Sequence, residues 1–200
     1  PCVNASGRLD SAEVAVKLFL TEDTVLAKKY AEKLHSLNEE RKSMTEQGIK
    51  KVINQIESGE FKEDKVFVIY EPDIHESIAG IIAGRIKDMY YRPTIILTES
   101  NEENVLKGSG RSIEEYNIFQ EISKCKDILL KFGGHPMAAG LSIERANLEE
   151  FRKRLNGQAV LTEEDLLPKV YIDMHLPLDY ISFGLVEELE LLEPFGQGNQ

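Results

Sequence analysis

Two short segments gather the residue types that handle anions: Gly108-Ser109-Gly110-Arg111-Ser112 and Gly133-Gly134-His135-Pro136-Met137-Ala138-Ala139-Gly140. Glycines let backbone N–H groups come close to an anion, and a guanidinium offers a fork of donors matched to phosphate oxygens. Ser109 and Arg111 stand two residues apart, so on a strand both project from one face and one phosphate can touch both. His135, between two glycines and a proline, sits on a short constrained turn beside open space. There an imidazole can donate to a non-bridging phosphate oxygen and stabilise charge that builds in a transition state. Two glycine-rich loops in one domain imply a polyanionic substrate. The plain alternatives are a structural histidine bonded to a carbonyl and an exposed salt bridge on a surface strand.

The same residues carry a family likeness. KGSGRS followed by FGGHPMAAGLSI resembles the DHH-associated domain of the DHH phosphoesterase superfamily, and within it the RecJ family of single-stranded-DNA exonucleases. Three further stretches match in the family's order: Asn4-Ala5-Ser6-Gly7-Arg8, the run from His75-Glu76-Ser77 to Arg85, and Glu193-Pro194-Phe195-Gly196-Gln197-Gly198-Asn199. The resemblance implies 5′ to 3′ hydrolysis of phosphodiester bonds in repair and recombination. Ser109 and Arg111 would hold the 5′ end, supported by Gly110, Ser112, Gly133 and Gly134. His135 would face the catalytic cleft, while Asn4, Arg8, His75 and Arg85 would contact substrate phosphates. It further implies Mn²⁺ or Mg²⁺ activating water in an upstream DHH domain, since the sequence has no DHH triplet or Asp-rich motif; the chain alone is expected to be inactive. Single-stranded DNA is the implied partner, with a single-strand-binding protein and a RecQ-type helicase as natural companions. Other readings stay open: a short DHH phosphoesterase acting on nanoRNA, 3′-phosphoadenosine phosphate or a cyclic dinucleotide, or a noncatalytic nucleic-acid-binding module. Without the family, His75 and Arg85 read equally well as a helix cap and a solvated arginine, and His35 and His175 as surface or packing residues.

Composition bounds these readings. The 200 residues carry a formal charge of −11, which speaks against a protein that coats nucleic acid at large. A basic groove on an acidic body reconciles the two, because Arg8, Arg85, Lys107 and Arg111 lie inside the motifs. No apolar run approaches the ~20 residues that cross a bilayer, and no secretory leader is seen, so a cytoplasmic protein without membrane contact is expected. Cys2 and Cys125 are far apart with no metal spacing and read as free thiols, Cys125 on a helix face.

The elements that must position these groups read as α/β. A helix is expected over 9–20, closing a DHH domain (1–20). A long connecting helix (21–58) follows, capped by Thr21, with a hairpin broken at Gly48 as the alternative. Residues 59–156 form the DHH-associated α/β domain, a mixed sheet with strands 65–70, 94–98, 105–112 and 138–143. Its helices are 77–90, 118–131 and 148–155, the last opened by a capping box of Asn147 and Glu150. Residues 157–200 would begin a β-rich domain of the oligonucleotide-binding type, with a strand at 169–174 and a helix at 180–192.

Overall fold

The computed structural model describes every residue except Tyr171, Asp173, Gln197, Gly198 and Gln200, and separates into two units, Pro1–Leu167 and Pro168–Gln200. In the first unit, α1 (Cys2–Leu9), α2 (Glu13–Leu20) and α3 (Thr24–Glu57) precede β1 (Phe67–Tyr70), α4 (Glu76–Tyr90), β2 (Thr94–Glu99) and β3 (Val105–Arg111). Then come α5 (Ile118–Ser123), β4 (Leu129–His135), β5 (Ala138–Glu144) and α6 (Leu148–Gln158). The sheet order is β1-β2-β3-β5-β4, with β1 parallel to β2 and the remaining pairs antiparallel. The expected mixed α/β architecture is present, with the long helix ahead of it.

The 34-residue α3 runs unbroken for about 51 Å. Its cap is Asp23 rather than Thr21: the Asp23 carboxylate accepts from Val25 N–H at 2.8 Å and Leu26 N–H at 3.2 Å, satisfying two orphan donors. Thr21 Oγ1 accepts only from Asp23 N–H. No hairpin forms at Gly48. A Cβ there would lie 2.5 Å from Ile82 Cδ1, so the missing side chain is what lets α4 press against α3. The single helix expected over 9–20 is two. Asp10 leaves helical dihedrals and pairs with Lys33 at 2.5 Å, and α2 restarts at Glu13.

Strand alternation sorts the core into two layers. Phe67, Ile69 and Ile96 join Ile78, Ile82 and Ile86 of α4 and Val52 of α3 on one face. Val68, Ile95, Leu97, Leu106, Leu141 and Ile143 join Ile118 and Ile122 of α5 and Phe151 and Leu155 of α6 on the other. Each fully buried isoleucine contributes roughly 2–3 kcal/mol of transfer free energy. α4 packs on β2 and β3.

Other expectations are corrected. The helix over 118–131 ends at Ser123; a short 3-10 turn follows, and Leu129 to His135 is the edge strand β4. Cys125 sits buried in the turn between them, where burial raises its thiol pKa. Asn147 starts α6 without a capping box, because its side chain donates instead to the Ile128 carbonyl. In the second unit, α7 (Phe183–Glu190) is capped by Ser182 and is shorter than the expected 180–192. The strand expected over 169–174 includes two residues outside the described ones, and its described members carry none. The motif ending at Asn199 likewise includes Gln197 and Gly198, outside the described residues. Among the described residues no helix is long and apolar enough to cross a membrane.

Candidate functional site

The first glycine segment lies on the expected strand β3, while residues 133–135, read as a loop, end the strand β4 and turn into β5, and their register builds a grid. Across β3, β5 and β4, three rows lie in line: Lys107–Ser142–Lys131, Ser109–Gly140–Gly133 and Arg111–Ala138–His135. Rows two residues apart are separated by about 7 Å, and neighbouring strands by about 4.8 Å, which sets His135 level with Arg111 roughly 10 Å away. At its Gly140 and Gly133 positions the middle row is an open floor. A Cβ on Gly133 would meet no atom within 4 Å, and one on Gly140 only the Gly108 carbonyl at 3.9 Å. Beside this floor, Glu76 and Ser77 of α4, Lys107, Ser109, Lys131, Gly140 and Ser142 line an open cleft of about 460 Å³.

Arg111 is the most informative side chain in the neighbourhood. It is partly buried, pairs with no carboxylate among the described residues, and donates to its neighbour's carbonyl, Gly110 O, at 2.7 Å and to Ser109 Oγ at 3.4 Å. Burial, and then the like charge of Arg8, hold its pKa below the ordinary value, although a guanidinium stays protonated. Helix α4 makes room for it with glycine. A Cβ on Gly80 would lie 2.7 Å from Ser109 Oγ and 2.8 Å from Arg111 Nη2. A partly desolvated guanidinium with no counter-ion, beside a second arginine, is an arrangement that a bound anion would relieve.

Arg8, on α1, donates to the Ser77 carbonyl at 2.6 Å and so ties α1 to the first turn of α4. Asn4 is exposed one turn earlier and, with Arg8, lines a hollow against Val16 and Phe19 of α2. His75 caps α4: Nδ1 accepts from Ser77 N–H at 3.3 Å and lies 2.7 Å from Ser77 Oγ, so that nitrogen is taken by the helix. Arg85 is exposed further along α4 and forms no ion pair among the described residues. His35 and His175 are both exposed.

Three expected residues do not reach the open face. Ser112 is 1% exposed and donates its hydroxyl to the Tyr116 carbonyl at 2.5 Å, because one step past Arg111 the chain points into the α5 layer. Gly110 faces the same way, and a Cβ there would lie 2.6 Å from Ile118 Cδ1. Gly134 adopts φ +156, where a Cβ would stand 2.7 Å from Ala139 Cα, so its role is in the hairpin. Sequence reasoning missed Lys131, which lay at the end of the helix expected over 118–131, and Ser142, whose strand was expected but whose cross-strand partners Lys107 and Lys131 were not. Glu76 adds a carboxylate to the lining, so the groove is less uniformly basic than expected. Its ion pair with Lys107, at 2.6 Å, raises the lysine's pKa. Among the described residues no three His, Cys, Asp or Glu side chains come together to hold a metal, so the groups seen here do not fit one.

Residues 63–160 match the DHHA1 domain. Along its whole length the chain is 36% identical to the single-stranded-DNA-specific exonuclease RecJ of Bacillus subtilis, covering 25% of it. It is 31% identical to RecJ of Thermus thermophilus, covering 28%. The crystal structure of Thermus thermophilus RecJ with Mg²⁺ superposes with a TM-score of 0.87 at 32% identity, covering all of this chain and 30% of that one. A second structure of that protein holds Mn²⁺. The chain thus spans about a quarter to a third of the length of these relatives.

Proposed function

Because the chain belongs to the RecJ family of DHHA1-domain proteins, we propose that it forms the strand-binding wall of a cleft that degrades single-stranded DNA. The observation that carries this reading is Arg111: partly buried, without a carboxylate, seated against Gly80 with Ser109 beside it and Arg8 nearby. A terminal phosphate bound there gains charge-assisted hydrogen bonds from a guanidinium that has no competing acid. The neighbouring glycine floor leaves room for the attached nucleoside, and His135 lies level with Arg111 two strands away, at the far edge of that floor.

In the longer protein, Mn²⁺ or Mg²⁺ held by an upstream domain would supply the activated water, and α3 would fix the spacing between that domain and this wall. Residues 1–20 would close the metal-bearing domain, 59–156 would be the wall itself, and 157–200 would lead into an oligonucleotide-binding-type domain. A cleft bounded by two domains on a rigid helix admits one strand and excludes a duplex. Single-strand-binding protein and a RecQ-type helicase in the cytoplasm would supply such strands. The likeness to RecJ runs past the DHHA1 domain to the end of the chain, which supports this reading over a short DHH phosphoesterase.

The test is a binding titration of 5′-phosphorylated against 5′-hydroxyl single strands. The unmodified chain is expected to prefer the phosphorylated end, and Arg111→Ala to erase the preference. Equal binding of both strands by the unmodified chain would overturn the assignment.

A further inference from the structure

The open cleft does not centre on the Arg111 row. Its lining runs along the opposite row of the grid, Lys107–Ser142–Lys131, with the Ser109–Gly140 pair between. Lys131 is exposed on the edge strand and forms no ion pair among the described residues. Lys107, two strands away in the same row, is held by Glu76 at 2.6 Å. Ser142 stands between the two lysines and offers a hydroxyl.

We propose that this row is a second phosphate subsite, which grips the backbone of the same strand farther from its 5′ end. The inference rests on the assignment of Arg111 to the terminal phosphate and adds a footprint and a direction to it. Lys107 and Arg111 are four residues apart on one strand, which separates the two subsites by about 13–14 Å. That is the reach of two nucleotide steps in an extended strand, so the first phosphate at Arg111 puts the third beside Lys107 and Lys131. The glycines of the middle row lie under the intervening nucleotide, where any side chain would fill the floor. Glu76 is the internal counter-ion of the empty subsite. An arriving phosphate competes with it for Lys107 and meets Lys131 without competition.

Two phosphates two nucleotide steps apart can be separated by length. The test titrates the chain with 5′-phosphorylated di-, tri- and tetranucleotides, comparing the unmodified protein with Lys131→Ala, Glu76→Gln and Arg111→Ala. Lys131→Ala is expected to weaken tri- and tetranucleotide binding about fivefold, the effect of one charge-assisted contact, and to leave the dinucleotide unchanged. The salt dependence of log K for the trinucleotide should flatten by about 0.7, the share of one phosphate contact on a single strand. Glu76→Gln should tighten the tri- and tetranucleotides only. Arg111→Ala should weaken all three lengths. If Lys131→Ala leaves every length unchanged, or weakens all equally, the second subsite does not exist even where Arg111→Ala behaves as expected. If Arg111→Ala has no effect while Lys131→Ala does, the terminal assignment fails instead. If no oligonucleotide binds the unmodified chain, both are overturned.

Discussion

The arginines on the two sides of this sheet live in opposite circumstances. On the α6 side each is occupied by acid: Arg152 bonds Asp64 at 2.8 Å and Glu60 at 2.7 Å with its guanidinium over Phe61, and Arg154 bonds Asp127 and Glu150 at 2.7 Å each. Arg145, at the sheet's end, bonds Glu99 and Tyr70. On the α4 side Arg8, Arg85 and Arg111 meet no carboxylate among the described residues, and Arg111 is nonetheless partly buried. The first group is neutralised within the fold; the second bonds only to carbonyls, a hydroxyl or solvent and keeps its charge uncompensated. The same residue type is thus charge-paired on one side of the sheet and free of acid on the other.

This contrast can be broken from either side, and the largest effect is expected on the structural one. Arg152→Ala strips a 16%-exposed guanidinium from Asp64, leaving that carboxylate partly buried and alone, and is expected to lower unfolding free energy by about 3 kcal/mol in denaturant titrations. Single-strand affinity should stay as it was. Arg111→Ala should do the reverse, weakening binding of a 5′-phosphorylated strand by about 2 kcal/mol, roughly thirtyfold, while thermal melting shifts little or upward. Removing an unpaired, partly desolvated charge beside Arg8 relieves the native state.

A smaller effect is expected at the glycine that makes room for Arg111. Gly80→Ala would crowd Ser109 Oγ and Arg111 Nη2, both ends of flexible side chains, so stability should hold or rise slightly with the better helix former. The displaced guanidinium should weaken phosphate binding by about 1 kcal/mol, measured in the same titration. If affinity is untouched, the fit between α4 and Arg111 is incidental. Smallest of all is Tyr116→Phe. Its hydroxyl is buried without a partner and burial raises its pKa, so removing it should cost nothing or stabilise by up to about 1 kcal/mol on chemical denaturation, without altering binding.

Much of this was legible in the residues. The β-branched runs gave β1 and β2, and the spacing of Ile78, Ile82 and Ile86 gave α4 between them, because burial and periodicity agreed there. The side-by-side placement of Ser109 and Arg111 followed from alternation alone. The same rule, carried one residue further, would have turned Ser112 inward. What misled was the second glycine pair: Gly133 and Gly134 read as a loop but end the strand β4, whereas Gly108 and Gly110 lie inside the expected strand and there admit Leu141 and Ile118. β4 was hidden because Leu129, Leu130 and Phe132 continue the helical spacing begun at Ile118, and an exposed edge strand lacks a buried face to betray its period. Gly48 could not announce itself as a packing contact, since its partner Ile82 lies 34 residues away.

The division between a structural and a ligand-seeking face is tested most directly by the salt dependence of binding to one 5′-phosphorylated single strand. With Arg111→Ala the slope of log K against log salt should flatten by about 0.7 relative to the unmodified chain, and with Arg152→Ala it should not change. Equal slopes in all three proteins, or a loss at Arg152 as large as that at Arg111, would contradict it.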